Sequence, residues 1–350
     1  MRKNYIDWLR NGAILFLFPY HTARIFDDIS PFYIKGAVST FPSILVHLSF
    51  WFMPLLFLLS GMSSLHALRN RSTKNYLKER HLRLMVPFVF GVLVIVPPQA
   101  YFAKRFHGDQ RESYLDFLKN YFTDFSDWSE YAGGISPAHL WFILFLFLIS
   151  IALLPVMAAA IRNHYSPAWL GNPVLVVLPF AGLALLSALP DISGKNIFVY
   201  AAYFILGFFM ATDDRITTAI EKHRRIHLGT AVVGSAGILL EIFTIGGQSG
   251  MVFTIWHFLT YWVSLLAILG YGKRYLDRRS RLVSYFNPAA FPVYILHQTY
   301  LVIVGYHVLQ VTDRGIVPFL LIMLVSLFLS IATYDVIRRI PPIRILFGLK

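Results

Sequence analysis

Of 350 residues, 57% are hydrophobic and 14% charged, and the mean hydropathy is +0.59; a water-soluble domain carries roughly 45–50% apolar and ~25% charged residues, so an all-α polytopic membrane protein is expected and a separate soluble domain is not. Zero cysteines exclude disulfides, thiolate nucleophiles and thiolate metal sites. The formal net charge of +13 raises nucleic acid as a partner, but in a multi-pass chain the positive-inside rule gives a simpler origin, which the distribution of charge tests.

The first stretch, Tyr5 to Arg24, opens with Asp7 and Arg10, becomes apolar, and then places His21 inside the apolar run. A signal peptide also opens with charge and an apolar run, but no cleavage site follows here, and Asp7, Arg10 and His21 interrupt the pattern. It reads as a retained first span. About ten apolar stretches reach spanning length: about 11–27, 44–66, 84–102, 138–160, 172–189, 196–212, 227–245, 250–271, 287–309 and 316–336. Basic runs separate several of them, with Arg69, Arg71, Lys74, Lys78, Arg80 and Arg83 after the second, Arg215, Lys222, Arg224 and Arg225 after the sixth, and Lys273, Arg274, Arg278, Arg279 and Arg281 after the eighth. With the N-terminus inside and alternating spans, about 23 of the 31 Lys and Arg residues fall on the inner side. Both termini are therefore expected in the cytoplasm, and most of the positive charge is explained without nucleic acid.

The eleven positions from Arg10 to His21 cover roughly 16 Å on a helix rising ~1.5 Å per residue. Half a bilayer core is ~15 Å. With Arg10 at one surface, His21 lies near the middle, where an ionisable group marks a functional site. A neutral imidazole there can take a proton from a hydroxyl; a histidine that only hydrogen-bonds neighbouring helices is the plain alternative. Asp27 or Asp28 would orient the ring if the chain turns back on itself, and otherwise both belong to a solvated loop.

Arg80 and Arg83 open the third span at i and i+3, which puts them on one helix face. Two guanidiniums at a membrane surface suit a phosphate-rich ligand; topology-setting charge or lipid headgroup contact is the alternative. Other polar residues in or beside spans are His47, His139, Glu241, His257, His297 and His307. His297 is the strongest of these because Tyr294 and Gln298 flank it. His139 and Trp141 begin a span and are placed to face an outer cavity. Glu241 lies near a span end and reaches water. Ser60-Gly61 suits close helix packing rather than nucleophilic attack. No HExxH, no paired-carboxylate motif and no GxxxxGK loop occurs, so neither a bound metal nor a nucleotide-driven motor is expected.

Taken together, Arg10-x10-His21, Leu58-Leu-Ser60-Gly61, Arg80-x2-Arg83 and Tyr294-Ile-Leu-His297 resemble the acyltransferase 3 family of integral membrane acyltransferases, over nearly the whole chain. Asp7-Trp-Leu-Arg10 with His21-Thr-Ala-Arg24 is most similar to the branch that includes the bacterial glucan-succinylating membrane proteins. The resemblance implies a single membrane-embedded domain of ten spans in the cytoplasmic membrane of a bacterium. It implies transfer of an acyl group, acetyl and succinyl both being open, from cytoplasmic acyl-CoA to a carbohydrate hydroxyl of the envelope. His21 matches the family's catalytic histidine, with Asp27 or Asp28 as its acidic partner. Arg80 and Arg83 match the pair linked to the CoA phosphates, and Arg10 joins them on the donor side. His139, Trp141, Tyr294 and His297 are assigned to the acceptor. Acyl-CoA would be a co-substrate and no cofactor is expected to stay bound; the other partners are the carbohydrate and membrane lipids. A transporter using its buried His and Glu as a proton or substrate path is the main rival, followed by a non-catalytic subunit whose polar residues hold helices together.

Overall fold

The computed structural model describes residues 3–108, 112–125, 131, 134–247 and 250–349. The chain is 77% helical, and no strand occurs among the described residues. In chain order the helices that matter here are α1 (Asn4–Phe26), α2 (Thr40–Arg69, with a turn at 48–51), α3 (Thr73–Phe106), α4 (Tyr114–Tyr121), α5 (Trp141–Ala152), α6 (Leu154–Arg162), α7 (Pro179–Leu186), α8 (Ile197–Met210), α9 (Asp214–Lys222), α10 (Arg224–Ile245), α11 (Met251–Leu276), α12 (Arg281–Leu309), α13 (Ile316–Ile337) and α14 (Pro341–Leu346).

By length and composition six of the described helices can cross a membrane, namely α2, α3, α10, α11, α12 and α13. Two bent pairs raise the number to eight: α5 with α6, bent by 47°, and α8 with α9, bent by 103°. The sequence suggested about ten. Of the two stretches not counted, the first is a continuous helix, α1, whose polar residues Arg10, Asn11, His21 and Arg24 dilute its apolar content. The other, about 172–189, forms short 3-10 turns followed by α7, and its apolar helix runs only from Leu175 to Leu186. That length falls short of the ~20 residues a hydrocarbon core requires.

The chain divides into two compact units. The first comprises Met1–Ala13, His47–Leu77 and Leu148–Val283. Here α2 packs closely on α8 because each contributes a glycine at the crossing. A Cβ on Gly61 would run into the carbonyl of Phe204, and one on Gly207 into that of Leu58. Ser60 turns its hydroxyl inward to donate to the Leu56 carbonyl at 2.7 Å, so the Ser60-Gly61 pair serves packing, as small residues do between membrane helices. Gly234 and Gly237 likewise bring α10 against Thr260 and Trp256 of α11. Trp262 of α11 is fully buried, and its indole N–H donates to the Val176 carbonyl at 2.8 Å, which satisfies the one polar atom it carries.

The second unit comprises Ile14–Val46, Lys78–Phe147 and Ser284–Lys350. Its central element is α12, where Ala289, Ala290, Val293, Tyr294, Ile295 and His297 are all buried. Beside it, α3 departs from α-geometry twice, with π-helical turns at His81–Met85 and Gly91–Ile95. Prolines account for both. Pro87 has no N–H to offer the Arg83 carbonyl four residues back, and Pro97 and Pro98 leave those of Leu93 and Val94 unserved. The helix widens there, with Val86 donating to His81 and Val96 to Gly91, five residues apart. Thr299 Oγ1 of α12 donates to the Ile95 carbonyl at 2.7 Å, using one of the groups at the second widening.

Candidate active site

Three histidines from separate elements of the second unit converge. His297 is on α12, His21 on α1, and His139 on the 3-10 turn leading into α5. The His297 ring centroid lies 5.1 Å from that of His21 and 5.1 Å from that of His139. Reciprocal bonds fix the turn against α12. The Tyr294 hydroxyl donates to the His139 carbonyl, and His139 Nε2 donates to the Ile295 carbonyl at 2.8 Å. The residue just before His139, Ala138, takes a positive φ of 46°, a conformation costly for a residue with a Cβ and held here by its surroundings.

These bonds determine where the protons sit. A carbonyl oxygen only accepts, so the His139 nitrogen facing Ile295 carries hydrogen. By the same argument His297 Nδ1, which meets the Tyr294 carbonyl, carries its hydrogen. In the neutral forms His139 Nδ1 and His297 Nε2 are then bare lone pairs. Both atoms are buried and have no hydrogen-bond partner among the described residues, and the same holds for His21 Nδ1. The Gln298 amide adds two more such atoms, Oε1 and Nε2. His297 and Gln298 are fully buried, whereas His21 is partly accessible. Unsatisfied polar atoms in an apolar interior cost about 1–3 kcal/mol each. The cluster of His21, His139 and His297 brings three such atoms together, an arrangement that costs stability.

Beyond α1 the chain does turn back, and the fold of the turn explains both aspartates. Asp27 is buried; one carboxylate oxygen meets Arg24 and the other meets Lys35. Arg24 also donates to the carbonyls of Ile29, at 3.3 Å, and Pro31, at 3.2 Å. Lys35 donates to the Arg24 carbonyl at 2.9 Å, and the Gly36 and Ser39 amides close on Ile25 and Phe26, each at 2.9 Å. Burial lowers the pKa of the Lys35 ammonium, and its bond to Asp27 opposes that shift. The result is a strapped loop that lays Phe32 parallel to the His21 ring, centroids 6.3 Å apart, with the Arg24 guanidinium 5.1 Å from the Phe32 centroid. Asp27 makes no hydrogen bond to His21, and Asp28 is exposed. Asp27, expected as a partner of His21, instead ties the loop that carries Phe32.

The remaining candidates separate. Arg83 is exposed and its Nε lies 3.3 Å from Glu79. Arg80 is half-buried at the start of the first π-helical turn, so the pair does not keep the α-helical spacing assumed from sequence. Counting from Arg83 to Ile95, whose carbonyl accepts from Thr299 two residues past His297, α3 covers roughly 18 Å at ~1.5 Å per residue. Arg10, in the first unit, is paired with Asp7 at 2.6 Å. Trp141 packs edge-on to Phe145, 5.3 Å away. In the first unit Glu241, expected to reach water, is instead buried and pairs with His257 at 2.7 Å; His47 lies 6.0 Å from Phe243. His307, in the second unit, lies 5.6 Å from Phe102. Sequence reading missed Phe32 and Lys35, which look like ordinary loop residues; a lysine eight positions after an aspartate was the only signal.

A partly accessible imidazole thus sits beside two buried ones, inside an all-helical chain with six to eight candidate membrane crossings. The chain belongs to the acyltransferase 3 family, whose model, described as an acyltransferase domain, matches residues 3–335. No curated protein and no solved structure matches it.

Proposed function

We propose that this membrane acyltransferase moves an acyl group from acyl-CoA to a hydroxyl of a carbohydrate, with His21 at the reacting centre. The reading is carried by the grouping of His21, His139 and His297, whose imidazole nitrogens lack partners among the described residues, within a chain that the acyltransferase family model matches over residues 3–335. In the direct form, the acceptor oxygen bonds to the thioester carbonyl carbon while its proton passes to His21. Collapse of the tetrahedral intermediate expels the CoA thiolate, and the imidazolium returns the proton to that sulfur. In the relay form, a His21 nitrogen bonds to the thioester carbonyl carbon, the C–S bond breaks and the CoA thiolate leaves with the ring proton; the acceptor hydroxyl then attacks the acyl-imidazole carbonyl, the C–N bond breaks, and the freed ring takes up the hydroxyl proton. His139 Nδ1 serves as an acceptor for a hydroxyl hydrogen of the carbohydrate, with Tyr294 holding His139 in place, Trp141 at the start of α5 beside the acceptor, and His297 Nε2 facing His21.

Arg80 and Arg83 hold the nucleotide end of the donor, and Arg10 belongs to the same basic side. The charge asymmetry favours cytoplasmic termini, a donor drawn from the cytoplasm and a bacterial cytoplasmic membrane as the location. The Asp7-Trp-Leu-Arg10 and His21-Thr-Ala-Arg24 stretches favour the glucan-succinylating branch, with succinyl or acetyl as the group moved. The decisive experiment is mass spectrometry of envelope glycans from cells expressing wild-type or His21→Ala protein at equal membrane levels. The acyl mass increment is expected to vanish in the variant. Persistence of the modification there would remove His21 from the chemistry.

A further inference from the structure

Among the described residues of the first unit, none covers one face of α10. Ala231, Ser235 and Leu239 from α10, Ala267 and Tyr271 from α11, and Trp51 from the α2 turn line a groove of about 650 Å³. Its walls are almost wholly apolar, and small residues form the floor where α10 and α11 lie close, so the volume follows from helix packing. From Leu228 to Leu239, both lining residues, α10 extends roughly 16 Å. A groove this long, narrow and apolar on a membrane-crossing helix matches a hydrocarbon chain. A compact pocket ligand would instead meet convergent polar groups.

The end beside Tyr271 is different. Arg224, the first residue of α10, places its guanidinium 5.7 Å from the Tyr271 ring centroid and 6.0 Å from that of Tyr275. One of its amino groups donates to the Glu221 carbonyl at 2.8 Å, while its buried Nε has no partner among the described residues. Arg225 beside it is exposed. Both arginines sit on the first turn of a helix whose N-terminus carries partial positive charge. Apolar length ending at two adjacent arginines, one of them exposed, is the imprint of an amphiphile with an anionic head. The Glu221 carboxylate does not neutralise this end, because it lies toward Lys273, at 3.8 Å, and Arg274, at 3.9 Å.

We propose that this groove binds an anionic membrane phospholipid, its acyl chain along α10 and its phosphate at Arg224 and Arg225. The site shares no residue with the histidine cluster and stands whether or not the acyl-transfer reading holds. The test is native mass spectrometry of the full-length, delipidated protein titrated with dioleoylphosphatidylglycerol or dioleoylphosphatidylcholine. With two cationic side chains at the anionic headgroup, the wild type is expected to retain phosphatidylglycerol about 30-fold more tightly than phosphatidylcholine. Arg224→Ala with Arg225→Ala should bring the two lipids level, and Arg224→Lys with Arg225→Lys should keep the preference, which separates lost charge from lost folding. Ser235→Trp, which fills the groove, should reduce retention of both lipids. Equal retention of the two lipids by the wild type, a preference that survives the double alanine variant, or undiminished binding in Ser235→Trp would each overturn the proposal.

Discussion

A bare imidazole nitrogen on His297 and an unpartnered Nδ1 on His21 belong to rings 5.1 Å apart. A general base works best when its second nitrogen is held, and that task commonly falls to a carboxylate. Here Asp27 is already committed to Arg24 and Lys35, so the group next to His21 with a free acceptor is His297 Nε2. A small approach of the two rings would let His21 Nδ1–H donate to it. His297→Leu is then expected to lower kcat by about 100-fold while leaving KM for acyl-CoA unchanged, and His297→Gln, which keeps an acceptor, should recover part of the loss. Steady-state kinetics in reconstituted membranes decide it. Equal losses in the two variants, or a KM that moves with kcat, would reduce His297 to a packing residue. Much of this was legible from the chain alone, since a histidine in an apolar run is conspicuous, and His21, His139, Tyr294 and His297 were all singled out. What was not legible was the partner. An aspartate six residues past His21 is a reasonable guess until the loop of Phe32 and Lys35 claims its carboxylate, and that claim depends on three-dimensional closure that no local spacing encodes.

At the scale of elements, α3 acts as the measure of the site. It carries Arg80 and Arg83 at one end and meets α12 next to His297 roughly 18 Å away. A donor gripped at the arginines must therefore extend a long arm to bring its thioester to the histidines, which suits acyl-CoA. The helical assignment came from apolar stretches of spanning length. The π-helical turns did not, although their cause was visible as Pro87 and Pro97-Pro98, because a proline removes a bond without stating how the helix repairs itself. Widening the helix changes which faces Arg80 and Arg83 present, so their shared role rests on position along α3 and not on an i, i+3 face. Hydrogen bonds to charged groups contribute ~1.5–3 kcal/mol each. Arg80→Ala with Arg83→Ala should thus weaken acyl-CoA binding by at least about 100-fold, while an acyl-pantetheine fragment lacking the nucleotide binds both proteins alike. Calorimetry with the two ligands checks this. Weakening of both ligands would place the arginines in folding, and weakening of neither would remove them from the donor site.

For the molecule as a whole, the open question of mechanism is one of sides, and the two uncounted stretches hold the answer. The structure offers six to eight crossings by length and composition, whereas the charge asymmetry assumed ten. The termini share a side only if the number of crossings is even, and the two schemes differ over α1 and over Leu175–Leu186. If α1 does not cross, Asp28 stays on the side of the N-terminus. If the short helix does not cross, Asp191 stays on the side of Arg162. The absence of cysteine makes this directly measurable, because one introduced thiol is the only site a maleimide can label. Asp28, Asp191, Arg279 and Arg314 are all exposed, so each can be replaced by cysteine without disturbing the core. With ten crossings, Asp28→Cys, Asp191→Cys and Arg314→Cys should react with a membrane-impermeant maleimide in intact cells, and Arg279→Cys only after permeabilisation. Labelling of Arg279→Cys in intact cells would invert the topology and detach the basic segments from a cytoplasmic donor. Protection of Asp28→Cys or Asp191→Cys, with Arg314→Cys still labelled, would remove the corresponding stretch from the count. Protection at Asp28 bears most on function, since the loop that begins there covers His21. A hydroxyl presented from outside reaches that histidine only if α1 carries its C-terminal end across the membrane.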